Sequence, residues 1–321
     1  MISNLFFGFI ILFVTNLLTI QQSAGQLTST KCIPTTSCFP TSWNSSGYVV
    51  ASGGYYGGLA VDDDFNVYVA DGNPRRLQKW APCAVQPVNM LEGQFSHNPL
   101  FFHSPSRSLY YIDTILGNPT VYKLLPGQTV PVKVAFGNGV GNGLNQLQRN
   151  CRGLYVNEVG DVYVLDASNQ RVLKWMVNAT SGVLIADAVN NVVYVADTGN
   201  HRIQKYISGS VNGITVISGP YRTISPTVFR EIYYPQAVFV DRTGNILVGD
   251  WARITKWISN GSTGSFTGSL IADGIQGFNA NATRMDTPSA FAFDRTGNLY
   301  AVDWSNQRVL KFNVMSQQCT T

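Results

Sequence analysis

The chain has 321 residues, of which 45% are hydrophobic and only 12% charged, and its net charge is +4. That balance supplies ample core material and excludes a disordered chain. Lys and Arg never run to four in a row, Arg75-Arg76 being the densest spot, so nothing supports nucleic-acid binding.

Residues 1–25 read as a cleaved secretory signal. They hold no charged side chain, carry an apolar segment from Leu5 to Leu18, and end on the small residues Ser23-Ala24-Gly25. Residues 26–46 form a Cys-containing N-terminal segment with Cys32 and Cys38. Asn44, Asn178, Asn260 and Asn281 each open an Asn-x-Ser/Thr triplet, so a secreted, extracellular glycoprotein is expected.

From residue 47 to 315 one unit recurs. An upstream strand such as Gly58–Asp62 leads through a turn to a strand closed by aspartate, and a third strand follows. The closing aspartates are Asp71, Asp113, Asp166, Asp197, Asp250 and Asp303, at intervals of 42, 53, 31, 53 and 53 residues. Fourth strands are predicted over Val130–Phe136, Ile214–Ser218 and Ser269–Ala272. Four short strands per unit at a period of about fifty predict an all-β, six-bladed β-propeller.

The ends of the repeat predict how the ring closes. Gly47–Ser52 reads as a fourth strand with no blade before it, and the last blade stops after its third strand, Arg308–Val314, so the first should complete the last. Residues 316–321 are a C-terminal tail with Cys319, expected to pair with Cys32 or Cys38; a Cys83–Cys151 link between blades is a weaker possibility. Residues 97–124 form a degenerate blade. The fourth blade is cut short: Ala272 and Asp294 stand 22 apart, whereas the matching Ala186 and Asp187 are adjacent. That junction removes the inner strand and reads as a mis-joined exon, leaving unpaired ladder groups at the channel.

At Val195–Tyr206, where Asp197-Thr198-Gly199-Asn200-His201-Arg202 forms the turn, the chain resembles an NHL repeat. Asp166–Arg171 and Asp303–Arg308 keep the frame without histidine. The resemblance spans nearly all of 47–315 and implies a six-bladed propeller used as a binding platform. Asp and Arg recur five residues apart in most copies, so they are expected to be structural ion pairs, and His201 a turn packer.

Function is expected where the copies differ. The residue after the closing aspartate is Trp251 in one blade and Trp304 in the next; with Tyr55, Tyr56, Tyr233 and Tyr234 in inter-blade loops they form a candidate ligand-binding rim for an extracellular protein or glycan. Asp62-Asp63-Asp64 reads as a solvated turn rather than a calcium site. The alternative is a metal-dependent lyase or hydrolase using the central channel, since the chain resembles, at fold level, the peptide-amidating lyase. The positions matching its zinc histidines read Gln236 and Ser289, and the chain holds only His97, His103 and His201. No catalytic residue, metal or cofactor is therefore expected, nor a membrane span after signal cleavage.

Overall fold

The computed structural model describes residues 10–13, 38–43, 47–92, 99–114, 117–169, 171–184, 192–207, 212–219, 231–241, 244–251, 253–260, 265–272 and 285–319. Its strands run in chain order. Three come from the N-terminal part: β1 (Ile10–Phe13), β2 (Cys38–Trp43) and β3 (Tyr48–Ser52). Blade 1 is β4 (Tyr56–Val61), β5 (Val67–Gly72), β6 (Arg75–Trp80) and β7 (Val88–Glu92). Blade 2 is β8 (Leu100–His103), β9 (Ser108–Asp113), β10 (Thr120–Leu124) and β11 (Val132–Phe136). Blade 3 is β12 (Cys151–Val156), β13 (Val162–Asp166), β14 (Arg171–Trp175) and β15 (Val183–Leu184).

Blade 4 contributes β16 (Val192–Asp197), β17 (Arg202–Tyr206) and β18 (Ile214–Ser218). Blade 5 is β19 (Ala237–Val240), β20 (Ile246–Asp250), β21 (Arg253–Ser259) and β22 (Phe266–Ala272). Blade 6 has β23 (Pro288–Phe293), β24 (Leu299–Asp303) and β25 (Arg308–Phe312), and β26 (Val314–Cys319) follows it. The protein is thus an all-β, six-bladed propeller.

The ring closes as the sequence predicts. β3 pairs antiparallel with β25, Ser52 opposite Arg308 and Tyr48 opposite Lys311, and so becomes the fourth strand of blade 6. Blade 2, although degenerate in sequence, is a complete four-stranded sheet. Between blades the two sheet faces pack through apolar side chains, as where Ile112 and Val121 of blade 2 meet Val164 and Leu173 of blade 3, all fully buried. Such burial contributes about 25 cal/mol per Å² of apolar surface.

The inner edge of blade 4 corrects an expectation. β15 ends at Leu184 and β16 begins at Val192, with the Ala186–Asp187 junction in the stretch between them, outside the described residues. The inner position is nevertheless filled: β1 pairs antiparallel with β16, from Ile10 opposite Val195 to Phe13 opposite Val192. β1 lies against β12 and β19, the inner strands of the flanking blades, and runs in their direction. It therefore satisfies the ladder groups of β16 that the junction would leave open. Four residues of the expected leader thus serve as a blade strand.

Candidate functional site

The register gives the ring two distinct faces. The second and third strands of each blade meet at the closing aspartate, and the loop from the preceding blade enters at the same end. The first-to-second and third-to-fourth turns lie at the opposite end.

On the first face the recurring aspartate and arginine form a clasp. Ion pairs join Arg76 to Asp71 (3.1 Å), Arg171 to Asp166 (2.9 Å), Arg202 to Asp197 (2.8 Å), Arg253 to Asp250 (3.0 Å) and Arg308 to Asp303 (2.8 Å). The carboxylates also accept backbone N–H groups of the incoming loops, Tyr55 to Asp71 (3.0 Å), Gln148 to Asp166 (3.0 Å) and Asp286 to Asp303 (2.8 Å). The arginines reach loop carbonyls in turn: Arg171 donates to Gly143 and Gln146, Arg253 to Glu231. In blades 1, 3, 5 and 6 the clasp therefore ties a loop to its hairpin turn, which is the structural role expected of these pairs.

The clasps position the aromatic candidates. Trp251, Trp304 and Tyr55 are 39%, 38% and 40% exposed and stand on this face on blades 5, 6 and 1, three neighbours round the ring. Thr287 joins the first two: its N–H donates to the Trp251 carbonyl (3.1 Å) and its carbonyl accepts the Trp304 N–H (3.4 Å). Thr287 holds a φ of 57°, a left-handed conformation costly for a β-branched residue, so this link is imposed by its surroundings.

Tyr233 and Tyr234 extend the arc toward blade 4. The His201 ring lies parallel to Tyr233 (centroids 4.7 Å apart) and edge-on to Tyr234 (4.4 Å), and Trp251 stands 5.8 Å from Tyr234. The Tyr234 N–H donates to His201 Nδ1 (3.1 Å), which requires the neutral imidazole, and burial lowers the His201 pKa in the same sense. His201 is thus a turn packer, as expected, and also the floor of an aromatic nest that its sequence position does not announce.

Tyr56 does not belong to the rim. It is 1% exposed, opens β4, and donates its hydroxyl to the Ser52 carbonyl (2.8 Å). Adjacent residues entering a strand point to opposite sides, so Tyr55 faces out and Tyr56 in.

Other candidates resolve on geometry. Asp62 is buried, and its carboxylate accepts from the Asp64 and Asn66 N–H groups, the Asn66 amide and the Tyr68 hydroxyl. Asp63 accepts from Ser104 and Asp64 pairs with Arg107, so this turn is fastened to blade 2. His103 closes β8 opposite Ser108, at the far end from the clasp, with Nε2 bonded to the Asn157 carbonyl; burial lowers its pKa. His201 stands at the clasp end, so His103 and His201 do not converge; His97 lies outside the described residues. Among the described residues no group of three His, Cys, Asp or Glu could hold a metal.

The Cys83–Cys151 link is also corrected. Both are free thiols: Cys83 is exposed in the third-to-fourth turn of blade 1, and Cys151 is buried at the clasp end of β12, its thiol donating to the Gln148 carbonyl (3.0 Å). Asn178 and Asn260 are exposed on third-to-fourth turns of blades 3 and 5, on the face away from the aromatic arc. Asn44, Asn281 and Cys32 lie outside the described residues.

Inside the blades a second recurring pair emerges. Tyr68, Tyr110, Tyr163, Tyr194 and Tyr300 each stand directly opposite a lysine, namely Lys79, Lys123, Lys174, Lys205 and Lys311, whose Nζ lies 5.0 to 5.8 Å from the ring centre. These are cation–π contacts within a blade. In blade 5 the tyrosine position is Leu247, and Lys256 lies instead over Trp43 (5.5 Å).

The family model for the NHL repeat matches residues 183–206, which hold β15, β16, the His201 turn and β17. The chain carries an NHL repeat. No curated protein matches its sequence. The propeller is similar to solved structures at low identity. A Bacteroides thetaiotaomicron structural genomics protein of unknown function has a TM-score of 0.60 at 16% identity, over 87% of this chain and 76% of that one. A gluconolactonase from Xanthomonas campestris also has a TM-score of 0.60, at 13% identity, over 87% of this chain and 96% of that one. An auxiliary nutrient binding protein from Bacteroides thetaiotaomicron has a TM-score of 0.56 at 13% identity, over 85% of this chain and 73% of that one. At such identities the likeness concerns the fold.

Proposed function

We propose that the propeller is a non-enzymatic extracellular platform whose clasp face captures a secreted protein or a glycan. The observation that carries this reading is the aromatic arc fixed to rigid turns: Trp251 and Trp304 are hydrogen-bonded to one residue, Thr287, with Tyr55 on the next blade and Tyr233 and Tyr234 behind. Flat, half-exposed aromatics held by clasps lose little freedom on binding, which favours affinity. Export through a leader at 1–25, whose cleavage would remove β1 and reopen the inner edge of blade 4, glycosylation at the four sequons and disulfide closure belong to the same reading. Asn178 and Asn260 fit it, since glycans there would leave the aromatic face clear.

The alternative, a channel enzyme of the peptide-amidating-lyase kind, finds enzymes among proteins of similar fold, a gluconolactonase and a streptogramin B lyase. It needs a metal or nucleophile placed by residues other than the His103–His201 combination, which the register separates.

The test is capture of members of a panel of immobilised glycans and secreted proteins by the purified full chain. Trp251→Ala and Trp304→Ala should each weaken capture roughly 30-fold, about 2 kcal/mol for a hot-spot aromatic. Unchanged capture by both variants would sink the proposed site.

A further inference from the structure

We propose that Cys38 and Cys319 form a disulfide that links β2, which precedes the closing strand β3, to the last strand β26. The inference rests on the export reading only for the oxidising compartment; the connectivity comes from the fold. β2 and β26 form an antiparallel ribbon of their own, and its register sets Cys38 directly opposite Cys319, Phe39 opposite Gln318, Pro40 opposite Gln317 and Trp43 opposite Val314. Directly opposed residues of an antiparallel pair have Cα atoms about 4.5–5.5 Å apart, inside the roughly 4.4–6.8 Å window of disulfides.

The ribbon is held at its other end. Trp43 is buried, donates its indole N–H to the Gly297 carbonyl (2.8 Å), and packs 6.1 Å from Phe293 beneath blade 6. From that anchor the register brings the two cysteines, one opening β2 and the other ending β26, to the outer end of the ribbon.

The other cysteines compete poorly. Cys32 precedes Cys38 by six residues, up to about 20 Å of extended chain beyond the end of β2. Cys83 lies in a turn of blade 1, and Cys151 is buried with its thiol donating within blade 3.

Formation of the bond removes two protons and two electrons. The thiolate of one cysteine attacks a disulfide oxidant, such as oxidised glutathione or a dithiol oxidoreductase, to give a mixed disulfide. The other thiolate then displaces the oxidant's thiol, joining the two sulfurs and leaving the oxidant as two thiols. β3 closes the ring by strand pairing and the burial of Ala51, with no covalent link, and the bond adds a covalent strap between β2 and β26.

The experiment is oxidation of the purified, reduced full chain by oxidised glutathione, followed by non-reducing peptide mapping. The expected result is a cross-linked peptide holding Cys38 and Cys319, retained in Cys32→Ser and abolished in Cys38→Ser and Cys319→Ser. Reduction should lower the unfolding temperature of the parent and of Cys32→Ser, and leave the two strap variants unchanged. A dominant Cys32–Cys319 or Cys32–Cys38 peptide, or free thiols at both positions, would overturn the assignment. Mapping the protein recovered from secreting cells tests the compartment separately: a strap that forms with glutathione but is missing there refutes export and leaves the connectivity standing.

Discussion

The clasps of blades 4 and 6 have the same chemistry and different burial, which makes them a controlled comparison. In blade 6 the Arg308 and Asp303 side chains are 6% and 0% exposed; in blade 4 Arg202 and Asp197 are 38% and 18% exposed. Burial lifts the Asp303 pKa against the opposing pull of the Asp286 N–H, Arg308 and Asn306. The contribution of this clasp is therefore set less by Coulomb attraction than by what its donors lose when the acceptor goes. Asp303→Ala would remove, inside the protein, the acceptor shared by the Asp286 N–H, the Asn306 amide and the Arg308 Nε. Breaking a buried pair in this way costs about 3–5 kcal/mol. Asp197→Ala leaves Arg202 and the Asn200 amide where water can reach them, at about 1 kcal/mol or less. Urea unfolding of both variants, read as the change in midpoint times the slope, measures the difference. Equal losses would refute the argument that burial governs the clasp.

Other consequences are open to measurement. Gly219 donates to the His201 carbonyl, and a Cβ there would lie 2.1 Å from the Ile232 carbonyl oxygen; Gly219→Ala should displace the Tyr233–Tyr234 loop and cost about 3 kcal/mol in urea unfolding. Burial lowers the His201 pKa below its unfolded value, so the unfolded chain binds the extra proton first and stability falls as pH drops through the ordinary histidine range. Parent stability should be lower at pH 5 than at pH 7, and His201→Asn should flatten that slope. Tyr300→Phe removes a buried hydroxyl that donates to Asp294 (3.1 Å) and should cost about 1 kcal/mol by the same assay. A chain beginning at residue 26 lacks β1, so amide exchange along β16 should accelerate ahead of exchange along β13 or β24, whose inner partners remain; uniform exchange would contradict the pairing of β1.

The fold was legible because its signals are local and repeated. Val67–Asp71, Val162–Asp166 and Leu299–Asp303 each show a β-forming run closed by aspartate, with arginine five residues on, and the unmatched strands at the two ends announce the closure. β1 was not legible: an uncharged apolar run such as Leu5–Leu18 has the composition of both a leader and a buried inner strand, and only the vacancy in blade 4 separates the two. The candidate site was half legible. Trp251 and Trp304 stand out by comparing copies, and period-two alternation could have separated the exposed Tyr55 from the buried Tyr56. The tyrosine and lysine pairs were also readable, since Tyr68 and Lys79, Tyr163 and Lys174, Tyr194 and Lys205, and Tyr300 and Lys311 share one spacing. The stack of His201 on Tyr233 was not, because it joins blades 4 and 5 across a loop whose path no local pattern encodes.

The most direct test of the binding-platform account is a hydroxyl-radical footprint of the full chain, alone and saturated with the tightest-bound member of the glycan and secreted-protein panel. The account predicts protection of Tyr55, Trp251 and Trp304 together, with the third-to-fourth turns around Asn178 and Asn260 unchanged. Protection confined to those turns, or to the inner strands of the channel, with the three aromatics as reactive as before, would contradict it.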